Sequence, residues 1–184
     1  VNQHFKDIHH NPEVHNITYE NSQARERTQI LMDLSNAYNA IVVGTGDLSE
    51  LALGWCTYNG DHMSMYAVNA SVPKTLVSYI VESVALKDEI LHDVLMDICD
   101  TPVSPELLPP DKNGKIAQKT EEVLGSYDLH DFFLYQMLRH HDEPKKIYDL
   151  ACVAFKDVEK ETIKKAITTF YNRFFTQQFK RNCM

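Results

Sequence analysis

The run Ala40-Ile41-Val42-Val43-Gly44 constrains this chain more than any other feature. It is apolar without alternation and stops at glycine, the pattern of a strand buried on both faces in a parallel sheet. The next residues, Gly44-Thr45-Gly46-Asp47-Leu48-Ser49-Glu50, read as a turn opening into a helix. Asp47 suits the N-cap, and Glu50 three residues on completes a capping box. Upstream, Asn21 to Tyr38 places Ala24, Ile30, Leu31, Leu34 and Tyr38 near helical spacing. Helix, strand, glycine turn and helix in that order make one stretch of a doubly wound domain, so the fold class expected is α/β.

The remainder is rich in helix patterns. Trp55 to Ser71 is glycine-punctuated and reads as loop with a short strand. Pro73 suits the first turn of a helix running to about Val84. Lys87 to Cys99 places Ile90, Leu91, Val94, Leu95 and Ile98 on one face. Pro102, Pro105, Pro109 and Pro110 exclude regular helix or central strand from Thr101 to Pro110, and Asp111 to Lys115 is a polar turn. Helical segments follow near 127–141, 144–155 and 158–179, the last with Ile163, Ala166, Ile167, Phe170, Tyr171 and Phe174 on one stripe. A single firm strand is few for an α/β domain, and further strands are expected upstream. Residues 1–17 read as a solvated linker. They include His4, His9, His10 and His15, but no pair has the i, i+4 spacing of a helical zinc site and no cysteine is near.

Composition excludes several classes. With 184 residues, 43% hydrophobic and 24% charged, the chain suits one globular domain. Its 18 Lys and Arg stand against 26 Asp and Glu, a net charge of −8, which disfavours nucleic acid and anionic membrane surfaces as partners. No apolar run approaches the roughly 18 residues of a membrane span. Cys56, Cys99, Cys152 and Cys183 are widely spaced, without a CxxC, and read as free thiols of a cytoplasmic protein.

Four stretches carry chemistry. Tyr19 to Arg27 puts Asn21, Arg25 and Arg27 around a helix start, suited to an anionic or amide group, or simply a capped helix with a charged outer face. Val43 to Asp61 begins at the carboxyl end of the strand, where α/β sheets bind nucleotides. It is not a GxGxxG fingerprint, and Glu50 and Asp61 also suit plain capping and turn roles. Asn69 to Thr75 sets Lys74 in the first turn of a helix, against the dipole, which calls for an anionic partner such as a phosphate. Gln177 to Asn182 ends the last helix with Lys180 and Arg181, residues that also suit a helix C-terminus.

Together these stretches point further. VVGTGDLSELALGWCTYNGDHMSMY, NASVPKT, YENSQAR, DTPVSPELLP, QKTEEVLGSYDLHDFFLYQMLR and QQFKRNC closely resemble the synthetase part of glutamine-dependent NAD synthetases, in order, from about Thr18 to Cys183. The resemblance implies that residues 18–184 are the C-terminal, helix-rich portion of an adenine-nucleotide alpha-hydrolase-like (ATP pyrophosphatase) parallel-sheet domain. It implies an enzyme that adenylates the nicotinate carboxylate of deamido-NAD with ATP and Mg²⁺ and amidates it with glutamine-derived ammonia, giving NAD, AMP and pyrophosphate. Thr45 then matches a residue at the ATP adenosine and Lys74 one that reaches the ATP phosphates. Asn21, Arg25, Trp55, Cys56, Thr57, Tyr58 and Lys180 match the deamido-NAD site. Glu50 matches either a Mg²⁺ ligand or a residue of that same site. Ser104 falls near an ATP-contacting threonine, with different flanking residues. The resemblance also implies a homo-oligomer with the substrate site at the subunit interface.

Two family features are missing from the sequence. It has no Ser-Gly-Gly-x-Asp-Ser pyrophosphate loop, containing no Gly-Gly dipeptide at all, and 184 residues leave no room for a nitrilase-like glutaminase domain. The chain alone is therefore expected to be inactive. Two other readings stay open: a catalytically silent nucleotide-binding or dimerisation module of the same family, and a ligase that amidates a different carboxylate. An aromatic wall at Trp55 to Tyr58 suits a planar nicotinate ring and counts against the second.

Overall fold

The structure is a computed structural model, and it describes residues 1–101 and 124–183. Ser104, the proline-rich stretch from Pro102 and the Asp111–Lys115 turn lie outside the described residues.

The chain opens with α1 (Asn2–Asp7) and α2 (Ile17–Tyr38). The start read as linker is thus folded. Phe5 is buried and stacks on Tyr19 of α2, 5.5 Å between ring centroids. α2 begins earlier than its apolar spacing suggests because Asn16 caps it, its side chain accepting the Thr18 and Tyr19 amides at 3.0 and 3.2 Å.

The expected strand forms only as β1 (Val43–Gly44). It pairs in parallel with β2 (Tyr66–Ala67), Val43 opposite Tyr66 and Gly44 opposite Ala67. The parallel sense agrees with the sequence. Burial on both faces does not, since Ile41 is 64% and Val43 54% exposed. Among the described residues the sheet has two strands, and no helix layer covers both of its faces. Gly44 is needed where it stands, because a Cβ there would run into the Ser64 side chain.

Between the strands lies α3 (Leu48–Leu53), and after β2 come α4 (Lys74–Ala85) and α5 (His92–Asp100). Further along are α6 (Tyr127–Tyr135), α7 (Pro144–Ala154) and α8 (Lys160–Thr176). The helix expected to run from 127 to 141 changes at Gln136 to a π-turn through His140, and α8 ends in a 3₁₀ turn over Gln178–Cys183. The core is where α3, α6, α7 and α8 meet: Leu53, Leu129, Phe133, Ile147, Ile163 and Phe170 are buried there. The spacing Ile163, Ala166, Ile167, Phe170 puts the inner face of α8 on this core, as the periodicity requires. α2 is different. Ala24 is buried, but Ile30, Leu31, Leu34 and Tyr38 face outward.

Candidate functional site

α3 organises the site, and its sequence explains both of its ends. At the N-terminus, Asp47 accepts the Glu50 amide at 2.9 Å while Glu50 Oε2 accepts the Asp47 amide at 3.2 Å, the capping box expected. The same two carboxylates hold Lys74. Its Nζ lies 2.8 Å from Asp47 Oδ2 and 3.0 Å from Glu50 Oε1. The first-turn lysine has thus found an anionic partner within the chain, and it sits 5.3 Å above the Tyr127 ring.

Electrostatics follow from that packing. Burial pushes the Glu50 carboxyl up, the Asp47 charge adds to it, and Lys74 offsets part of the rise. For Lys74 burial works downward, but the Glu50 charge and the bond and charge of Asp47 outweigh it and hold the ammonium above its ordinary value. Tyr127 is buried, its hydroxyl without a partner among the described residues, and burial followed by the charges of Glu50, Asp47 and Asp131 raises it well out of the physiological range. It is a neutral phenol.

At the C-terminus of α3, Gly54 adopts the left-handed conformation (φ 59°) that closes the helix. The carbonyls this leaves unpaired are taken by three cations from the far end of the chain. Arg173 Nε donates to Leu53 O at 2.9 Å, Lys180 Nζ to Gly54 O at 2.9 Å and Cys56 O at 2.6 Å, and Arg181 to Ala52 O at 3.1 Å. Lys180 and Arg181 both cap α3, and Arg181 also caps the helix it follows, donating to Phe174 O of α8 at 2.6 Å.

The segment Trp55–Tyr58 lies under this clamp. The Arg173 guanidinium sits 5.1 Å over the Trp55 ring, and Tyr58 packs on Phe179 at 5.5 Å. From the other side, Thr57 Oγ1 donates to Asn21 Oδ1 at 2.8 Å and Arg25 Nε to Tyr58 O at 3.1 Å. Asn21, Arg25, Trp55, Cys56, Thr57, Tyr58 and Lys180 therefore adjoin one another. Asp61 accepts the Thr57 amide at 2.7 Å and serves the turn. Burial, then the Asp61 charge, pushes the Cys56 thiol up to about 11, so Cys56 is no nucleophile and contributes its carbonyl. Cys56, Cys99 and Cys152 are free. Thr45 is exposed just after β1, two residues before Asp47. Among the described residues no cluster of His, Cys, Asp or Glu has metal-ligand geometry, the N-terminal histidines included, and no helix is long and apolar enough to cross a membrane.

Sequence reasoning missed Arg173, Ser49, Thr75 and Asp131. Asp131 is buried, and it accepts from Ser49 Oγ and from the Thr75 amide and hydroxyl at 2.9 and 2.8 Å. The available signal was a charged residue set between Leu129 and Phe133 on an apolar helix face.

Comparison with known proteins bears directly on this arrangement. The family model described as NAD synthase matches residues 1–183. The chain belongs to the NAD synthase family. A glutamine-dependent NAD(+) synthetase of Mycobacterium leprae is 39% identical over 92% of this chain, and an NH(3)-dependent NAD(+) synthetase of Staphylothermus marinus 34% identical over 72%. The chain spans 28% of the first relative's length and 43% of the second's. A glutamine-dependent NAD(+) synthetase structure from Cytophaga hutchinsonii superposes with a TM-score of 0.67 at 22% identity, over 98% of this chain and 27% of that one. The NAD synthase fold is thus shared: a helix-rich α/β arrangement with a small parallel sheet.

Proposed function

We propose that these residues form the C-terminal part of an ATP-dependent ligase that amidates the nicotinate carboxylate of deamido-NAD to give NAD, within the adenine-nucleotide alpha-hydrolase-like architecture. One observation carries the reading. The positions assigned to one dinucleotide by motif resemblance come from three distant stretches (21–25, 55–58 and 180), and hydrogen bonds join all three. A random scatter of matched positions would not converge.

The roles follow from the geometry. Lys74, placed on α4 beside the end of β1, would reach ATP phosphates by exchanging its Asp47 and Glu50 contacts for phosphate oxygens. Thr45, exposed at the strand end, would meet the adenosine. Trp55 and Tyr58 offer aromatic faces to the nicotinate, and Asn21 and Arg25 polar and cationic groups to the dinucleotide. Glu50 with Asp47 offers hard oxygen donors, and Mg²⁺ commonly takes one or two carboxylates together with phosphates and water, so the pair fits that ion. When bound, the ion would neutralise phosphate charge during adenylation. The carboxylates' part is to present oxygen donors; burial raises the Glu50 carboxyl and Lys74 nearby offsets part of that rise.

The exposed Ile30, Leu31, Leu34 and Tyr38 stripe of α2 supports an association that covers the helix, as in a homo-oligomer with the substrate site near its interface. Ammonia would come from a glutaminase unit outside these residues. The test is direct. The complete protein bearing this chain, given deamido-NAD, ATP, Mg²⁺ and ammonia or glutamine, is expected to form NAD and AMP, and the 184 residues alone are expected to form neither. Failure of the complete protein to make the amide would overturn the reading, and detectable dimerisation without affinity for deamido-NAD would favour a silent module.

A further inference from the structure

We infer that Asp131 is a positioning residue for Lys74, fixing the start of α4 so that the lysine ammonium faces the Asp47–Glu50 pair. The inference rests on the ligase reading above for its functional consequence, and on a hydrogen-bond knot for its geometry.

A helix leaves its first amides without intrahelical partners, and they need acceptors from elsewhere. α4 lacks a side-chain cap of its own, since Pro73 occupies the N-cap position. Both of its first amides are nonetheless capped from other elements. The Lys74 amide donates to Ser49 Oγ of α3 at 2.9 Å, and the Thr75 amide to Asp131 Oδ2 of α6 at 2.9 Å. The Ser49 hydroxyl in turn donates to Asp131 Oδ1, and the Thr75 hydroxyl donates to Oδ2 at 2.8 Å. One buried carboxylate thus joins α3, α4 and α6 through three donors. It sits at the N-terminus of α4, where the dipole favours a carboxylate. This knot, together with the Leu48 amide donating to Val72 O at 3.0 Å, sets the height of Lys74 along α3, and the ammonium reaches both carboxylates.

Asparagine at position 131 would keep the shape but offer one acceptor oxygen to three donors, and would add two donors of its own. The first turn of α4 would shift, and small displacements at a site that binds by fixed geometry cost rate and affinity steeply. In the complete protein, Asp131→Asn is expected to raise the KM for ATP by about tenfold or more and leave that for deamido-NAD within about twofold. Ser49→Ala is expected to act in the same direction. Thr75→Ser, which keeps both donors, is expected to behave as wild type. A purely structural role would lower the folded fraction and hence the apparent kcat, not the ratio of the two KM values. An Asp131→Asn protein with an unchanged ATP KM would overturn the inference. If that variant does not fold, Ser49→Ala decides by the same two constants. A second readout separates this from the activity reading: amide hydrogen exchange at Lys74 and Thr75 should accelerate about tenfold in Ser49→Ala relative to α8 amides. If the complete protein makes no amide product, the ligase reading falls and the exchange data still decide the positioning role, unchanged exchange refuting it.

Discussion

Replacing Lys180 with methionine would test the clamp on α3 most sharply. The substitution keeps a flexible apolar stem of similar length and removes only the ammonium, which donates to Gly54 O at 2.9 Å and Cys56 O at 2.6 Å. A hydrogen bond from a charged donor contributes about 1.5–3 kcal/mol. Two such bonds would suggest twice that, but two offsets apply. Burial draws the Lys180 ammonium below its ordinary value, so part of the gain goes to desolvation. Gly54 O also keeps a longer contact with Arg173 at 3.4 Å after the change. The expected loss is therefore about 1.5–3 kcal/mol in all. For a chain of this size each kcal/mol moves the midpoint by roughly 2–4 °C, so Tm should fall by roughly 3–12 °C. Thermal melting followed by circular dichroism, with denaturant titration to check the slope, provides the measurement. A change in Tm below about 1 °C would refute the clamp, because even one retained charge-assisted bond predicts more. In the complete protein the same variant separates two roles. A lower Tm with an unchanged KM for deamido-NAD would assign Lys180 to the clamp alone, and a rise in that KM would add substrate contact.

Other outcomes can be stated briefly. Lys74→Met leaves Asp47 and Glu50 facing each other without a cation and should cost about 1–3 kcal/mol at neutral pH. Because the folded-state value of Lys74 is raised above the ordinary 10.5, its stabilisation is complete below that pH and lost as pH rises through the raised value. An alkaline melting series should thus converge for wild type and variant. His130 is the opposite case: burial lowers it from the ordinary 6.5, so its contribution is present above that pH and lost as pH falls toward the lowered value. Wild-type Tm should decline on acidification from 6.5, with a stability slope of up to about 1.4 kcal/mol per pH unit, and His130→Phe should flatten that decline. Gly54→Ala should destabilise by at least about 2 kcal/mol in urea titration, since φ is 59° there and a Cβ would collide with the Gln177 side chain.

Local signals in the sequence were reliable where the cause was local. The Asp47–Glu50 capping box and the inner stripe of α8 both depend on residues within a few positions of each other. The stretches picked out by resemblance adjoin one another in the fold. Asp131 and Arg173 were not legible, because their partners lie 56 to 120 positions away and no periodicity records such a pairing. The strand was shorter and more exposed than its apolar run implied. Val42 and Val43 have the composition of a covered strand, but burial requires neighbours that a two-stranded sheet does not supply. α2 makes the same point, since its outward Ile30, Leu31 and Leu34 obey helical spacing and yet have no partner layer among the described residues.

The clamp also sets an order of events during synthesis. A six-residue helix such as α3 is too short to persist alone, because helix nucleation is costly and only a few bonds follow it. Its stabilising donors, Arg173, Lys180 and Arg181, are made 119 to 130 residues after the carbonyls they bind. At about 5–20 residues per second the ribosome needs several seconds to supply them. During that interval the Trp55–Tyr58 segment is held by Asn21, Arg25 and its own turn, with the cationic half of its support not yet translated. The proposed dinucleotide surface is thus finished last, and a chain cut short before Arg173 would leave the C-terminal carbonyls of α3 without their cations and that end more open to proteolysis.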